Sequence, residues 1–280
     1  MRQIRKPVFA GMWYPKNPEN LNVMLDHFFQ EVHSMEQYEN IEPFGLIAPH
    51  AGYVYSGQVA AYAYSLLHEN QFDTVILLGS SHRYLENTIS VYNGDVYETP
   101  LGKIEIDKEI ATKIMEKHHH IGFHEYIHQV EHSLEAQIPF LQYQLKKFQI
   151  VPILTSTRNS ELLSLLAESM IEIIQKTTKK VLLVCSTDMS HYHSYEVAKK
   201  MDEQTIKLLL DKNWSGLAEA IRSGESELCG YYALLPFLKT LKAFNSDTGE
   251  LLYYANSGDA TNDLNAEQVV GYMSMVFAKK

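Results

Sequence analysis

Three histidines in this 280-residue chain each follow a short apolar run and a tight break. Phe44-Gly45-Leu46-Ile47-Ala48 leads through Pro49 to His50, and Val75-Ile76-Leu77-Leu78 leads through Gly79-Ser80-Ser81 to His82. Val181-Leu182-Leu183-Val184-Cys185 leads through Ser186-Thr187-Asp188-Met189-Ser190 to His191. Imidazole ligates iron, zinc and copper well and titrates near neutral pH, so such residues suit a metal site or a general base. A loop histidine satisfied by a backbone carbonyl is the plainer reading of any one of them. The recurrence of one context at His50 and His82 favours a shared ion there. Asp188 and His191 form a second pair, in which a carboxylate orients and strengthens an imidazole base, or else supports metal ligands from behind. Cys229, in Glu227-Leu228-Cys229-Gly230-Tyr231, opens a helical pattern, a position that favours the ligating thiolate, although judged alone it reads as a buried inert thiol. Cys185, inside an apolar run, reads as a small core residue. Glu131-His132-Ser133 opens another helical pattern, with His132 either on the same rim or capping that helix. His193 reads as a surface residue, and His118-His119-His120 with His124 and His128 as a solvated loop. The chain lacks the G-x-S-x-G elbow of a serine hydrolase, and no acidic cluster supports metal-assisted hydrolysis.

Apolar runs of this length, bounded by Gly, Pro and Ser, predict strands buried on both faces of a mostly parallel sheet, whose ligands lie beyond the carboxyl ends of the strands. Helical patterns alternate with them, which predicts an α/β fold in a single domain over 1–280. Asn17 with Pro18 predicts a capped helix start, and Ser56 a second cap. Alternation from Thr88 to Ile106 around Asn93-Gly94 predicts an inserted β-hairpin. Helical patterns cover Lys108–Lys117, Leu134–Lys147, Glu161–Lys176, Tyr195–Asp211 and Tyr231–Ala243, the last with a kink at Pro236. Ile150–Leu154, Leu251–Ala255 and Val269–Phe277 read as further strands.

Lys+Arg 24 against Asp+Glu 34 gives a net charge of −10, and no basic stripe offers a track for nucleic acid. No apolar stretch approaches the roughly 20 residues of a membrane span. The basic amino terminus has no apolar core after it, so it does not read as a signal peptide. Two cysteines in unlike contexts fit a reducing, cytoplasmic setting.

Arg5-Lys6-Pro7, Trp13-Tyr14-Pro15, Ala48-Pro49-His50-Ala51-Gly52-Tyr53, Gly79-Ser80-Ser81-His82, Glu131-His132-Ser133, Asp188-Met189-Ser190-His191-Tyr192 and Cys229-Gly230 together resemble the Memo family, whose prokaryotic members are called AmmeMemoRadiSam system protein B. That family is similar in fold to the LigB-type class III extradiol dioxygenases. The resemblance implies an α/β domain with a non-haem iron pocket at the strand ends. It implies His50 and His82 as ligands, Cys229 in place of the dioxygenase glutamate, and His191 as base beside Asp188. A thiolate is softer than a carboxylate and moves preference toward copper or a more covalent iron site, away from ordinary catechol cleavage. An O2-dependent oxidation is then the leading expectation. The rival is a non-catalytic protein that binds a peptide or partner in the same pocket; under the leading reading the ligand is a small molecule or peptide. Trp13, Tyr53, Tyr192 and His132 are candidates to line that pocket under either reading. The resemblance further implies radical-SAM and AMMECR-domain proteins as partners.

Overall fold

The computed structural model describes residues 2–33, 35, 38 and 41–279. In chain order its first half comprises β1 (Ile4–Arg5), α1 (Pro18–Gln30), β2 (Pro43–Ala48), α2 (Tyr53–Tyr64), β3 (Thr74–Ser80), β4 (Thr88–Val91), β5 (Val96–Thr99), β6 (Gly102–Glu105), α3 (Lys108–Met115), β7 (Ile121–Gly122), α4 (Glu125–Gln129) and α5 (Ile138–Gln144). There follow β8 (Gln149–Ser156), α6 (Ser160–Lys176), β9 (Val181–Ser186), β10 (His191–His193), α7 (Tyr195–Leu210), α8 (Trp214–Ser223), α9 (Tyr231–Ala243), β11 (Gly249–Asn256), α10 (Ser257–Thr261) and β12 (Val269–Ala278).

Every residue of β2, β3 and β9 is buried, so these strands carry apolar side chains on both faces and show no alternation. The main sheet has the order β10-β12-β2-β9-β3-β8-β4-β7, with β11 on β12. β2, β9, β3 and β8 are parallel, which is the parallel core expected from the apolar runs. Outside it β12 runs antiparallel to β2, and β4 antiparallel to β8, so the sheet as a whole is mixed. Helices flank it. α9 lies on β3, β8 and β9 with α6 against it, while α2 lies on β2, β11 and β12 and packs against α1 and α5. No described helix is long and apolar enough to cross a membrane.

The inserted hairpin differs from expectation. β4 joins the main sheet, and the hairpin is β5–β6, which forms a small sheet with β1. Its turn is Thr99-Pro100-Leu101-Gly102, where Pro100 fixes the first central residue and Gly102 takes a φ of 125°. Asn93 has no positive φ, so Asn93-Gly94 is not the tight turn that its sequence suggested. Asn17 caps α1 as expected, accepting from the Asn20 N–H. Ser56 is no cap: α2 begins at Tyr53 after Gly52, and the Ser56 hydroxyl donates back to Ala51 O. The pattern read as one helix from Leu134 resolves into a 3-10 turn, Glu135–Gln137, followed by α5 with Pro139 in its first turn. α9 runs through Pro236 from Tyr231 to Ala243.

Candidate metal centre

His50 stands two residues past β2, His82 two past β3, and Asp188 two past β9, so the parallel core delivers all three to one rim. Two glycines allow other segments to close on them. A Cβ at Gly230 would come within 2.5 Å of Ser186 O, so only glycine lets the Cys229 segment lie against the end of β9. A Cβ at Gly79 would meet Leu134 and the Ser133 hydroxyl at 2.8 Å, the turn that carries His132.

Two donor groups result among the described residues, each with its atoms within 4.8 Å of one another: His50, His82 and His132, and His50, Asp188 and Cys229. His50 belongs to both. The trio expected from the resemblance, His50, His82 and Cys229, thus spans two groups that meet at His50. His132, expected only as a pocket residue, stands among the imidazoles, with ring centroids 5.1 Å from His50 and 4.6 Å from His82.

Hydrogen bonds fix the His50 tautomer. The Ser186 hydroxyl donates to Ser133 O at 2.8 Å and accepts from the Gln137 amide at 2.7 Å, whose own oxygen accepts from Tyr64 OH. The one hydroxyl proton being committed, the His50 Nδ1–H donates to Ser186 Oγ at 2.8 Å. Nε2 is left as a lone pair, 3.2 Å from Cys229 Sγ. Burial, aided by neighbouring His82, drives the His50 pKa well below its ordinary value, so the ring stays neutral. Burial and nearby His50 likewise push His132 down to about 3.

His82 is held by Glu131, whose carboxylate accepts from the His82 backbone N–H at 2.7 Å and from Nδ1 at 2.9 Å. Glu131 also accepts from the backbone N–H groups of His132 and Ser133, both at 3.0 Å. Burial alone would raise its pKa, but the hydrogen bond and charge of His82 outweigh that and hold it far below the usual carboxylate range. The same contact raises the pKa of His82 despite burial. Nδ1 of His82 is thus a donor to Glu131, and Nε2 offers a lone pair once the ring is neutral, the arrangement in which a carboxylate behind a ligating histidine fixes its orientation. Sequence placed Glu131 near a helix end; the carboxylate instead fills the space behind His82.

The expected Asp188–His191 couple does not form. Asp188 Oδ1 accepts the His50 backbone N–H at 2.7 Å, and its Oδ2 lies 3.9 Å from His50 Nε2. Burial raises its pKa. His191 is oriented by Met189 O, 2.8 Å from Nδ1, because the chain turns sharply at Tyr192, whose φ of 61° is in the left-handed region. Beneath this loop the buried Asp202 accepts from Ser190 N–H and Tyr254 OH. Burial pushes its pKa from the ordinary 3.8 up to about 6.

Cys229 Sγ accepts the Asp188 N–H at 3.1 Å. Its residue precedes the cap of α9, and burial raises its pKa, favouring the thiol over the thiolate expected from a helix start. Cys185 is fully buried in β9, as expected of a core residue.

Trp13 and Tyr192 line a cavity of ≈ 630 Å³ beside the cluster, together with Asp188 and His191. Tyr53 does not line it. As the first residue of α2 it is buried against Tyr14 and Phe140, and its hydroxyl donates to Ala136 O. Trp13 is set by a network that sequence reasoning missed. The buried Glu135 pairs with the buried Arg5 and accepts from Val8 N–H, Phe9 N–H and Tyr14 OH, which ties down the segment that lays Trp13 on His132 at a centroid distance of 4.1 Å. Its one signal was polar Glu135 and Gln137 interrupting an apolar stripe. His128 also departs from expectation: it is buried, between Tyr97 OH and Ser90.

Imidazoles, a thiol and a carboxylate gathered in two groups that share His50 form a donor set suited to a borderline or soft cation. The family model of Memo-like proteins matches residues 5–276. A MEMO1 family protein of Aquifex aeolicus is 37% identical over 276 residues, covering 98% of this chain and 99% of its own length. One of Methanosarcina barkeri is 35% identical over 274 residues, with the same coverage. The chain belongs to the Memo family.

Proposed function

We propose that this protein holds iron or copper through His50, His82 and Cys229, and oxidises a small molecule in the adjacent cavity with His191 as general base. The observation that carries the reading is His50 itself: its tautomer is fixed, its proton affinity is suppressed, and its Nε2 lone pair lies 3.2 Å from a thiol. Such a ring gains little by binding a proton and much by binding a metal. His82, braced by Glu131, and Cys229, received by the Asp188 N–H, flank it on either side. Iron or copper in this setting would supply electron exchange between substrate and O2. The chain's part is then to orient the substrate against Trp13 and Tyr192, and to accept its proton at Nε2 of His191, whose Nδ1 is engaged by Met189 O. Its proposed setting is the cytoplasm, with radical-SAM and AMMECR-domain proteins as partners, which co-purification tests.

Metal content after anaerobic purification, followed by oxygen uptake with candidate substrates, tests the reading. Near-stoichiometric iron or copper is expected, and Cys229→Ser should weaken soft-metal binding most. His191→Ala should keep the metal and lose about 10²–10⁴-fold in turnover. A variant without metal would make His191 a ligand. The cavity rim also exposes Met12 and Tyr192, each 70% accessible, which favours a second reading as a peptide-binding module. Peptide binding to metal-depleted protein without any oxygen uptake would select it.

A further inference from the structure

The walls and charges of the cavity beside the imidazole cluster constrain what it can receive. Trp13, Tyr55, Tyr192 and Tyr272 line it. Its acidic side chains are Asp188 on the floor, 4% accessible, and Asp263 on the exposed rim. Among the described lining residues there is no lysine or arginine, and Arg83, next to His82, is not part of the lining. Asp188 is half-satisfied: Oδ1 takes the His50 N–H, while Oδ2 has no hydrogen-bond partner among the described residues. Asp188 lines the cavity, so Oδ2 is open to accept a hydrogen bond from a donor on a bound ligand.

We propose that the cavity binds an organic cation, with an ammonium group directed at the carboxylates and an apolar body against the aromatic walls. The inference rests on reading this cavity as the ligand side of the proposed metal centre. Ammonium donates to carboxylates and is attracted to the faces of Trp and Tyr rings. An anion would lose its hydration and meet two carboxylates in a chain of net charge −10, with no lysine or arginine in the wall to pair with it.

Calorimetric titration with 2-phenylethylamine, 2-phenylethanol and 3-phenylpropanoate tests it, on protein as purified and after chelation. These probes share a phenyl body and differ in charge. The amine should bind tightest, with the carboxylate at least about tenfold weaker. Added salt should weaken the amine alone. Asp263→Asn keeps an oxygen for the Asn265 N–H that Asp263 now receives at 3.2 Å. It should cost the amine about two- to fivefold, the range for a partly exposed charge pair, and leave the alcohol unchanged. Equal or tighter binding of the carboxylate in either form overturns the proposal, as does no binding by any probe at millimolar concentration. So does an Asp263→Asn variant in which amine and alcohol weaken alike. Metal content measured on the same samples separates the two readings: charge selectivity without metal sinks only the redox proposal, and metal without charge selectivity sinks only this one.

Discussion

Glu131 shows how a single carboxylate organises the site. Four hydrogen bonds converge on its carboxylate, two from His82 and one each from the His132 and Ser133 backbones, and the His132 ring Nδ1 lies 3.3 Å away. Glu131→Gln should therefore keep the fold and weaken metal binding by about 10–100-fold, read by competition with a chelator of known affinity. Gly230→Ala has a different outcome, because its methyl group would collide with Ser186 O. The Cys229 segment must then lift from β9, which should destabilise the protein by about 1–3 kcal/mol in urea unfolding and lower metal affinity together. The strand-end positions of His50 and His82 were legible in the sequence, because strand ends leave local signatures; Cys229 entered the ligand set only through the family resemblance, and His132 was weighed against a capping role. Partnerships were not legible. Which carboxylate stands behind which histidine depends on segments from 82 and 131, or 50 and 188, meeting in space, and a local pattern carries no record of that.

Among the elements, the amino-terminal segment depends most on one buried pair. Arg5 and Glu135 lie nearly out of solvent, and Glu135 receives the backbone of Val8 and Phe9. Removing one charge of such a pair leaves the other uncompensated, at a cost of about 3–5 kcal/mol. Glu135→Gln should lower the denaturation midpoint accordingly and speed hydrogen exchange across residues 8–14, releasing Trp13 from His132. Unchanged exchange there would mean that the segment is held by its apolar contacts instead. Elements with strong periodicity, such as α1, α6 and α7, were readable to within a residue or two. The hairpin was not, since Asn93-Gly94 and Thr99-Pro100-Leu101-Gly102 are both sound turn sequences and only the pairing of β4 with β8 decides between them. Short elements such as β1, β7 and β10 have too few residues to show a period, and their partners alone make them strands.

For the molecule as a whole, Asp202 sets a pH dependence with a definite sign. Its pKa in the folded state is raised from 3.8 to about 6, so the folded protein binds this proton more tightly than the unfolded chain. That stabilisation is complete below pH 3.8 and is lost as pH rises through about 6, a decline on the order of 3 kcal/mol. Asp202→Asn, which cannot ionise, should remove this fall between pH 4 and 6 and equal or exceed the wild type at pH 7. Chemical unfolding at stepped pH reads it directly. A variant that keeps the same slope would move the origin of the effect elsewhere.

The order of strands in the main sheet also bears on how the protein is made. β2, which ends two residues before His50, pairs with β9 on one side and β12 on the other, so its nearest partner lies 133 residues later in the chain (181 − 48). At roughly 5–20 residues per second of synthesis, that strand leaves the ribosome about 7 to 27 seconds before its nearest partner strand is made. An apolar six-residue strand without partners for so long invites wrong pairings between nascent chains, and sheets closed by such distant contacts fold slowly. Expression of this protein should accordingly depend on temperature and on chaperones that shield exposed strand edges, more than its finished stability would suggest.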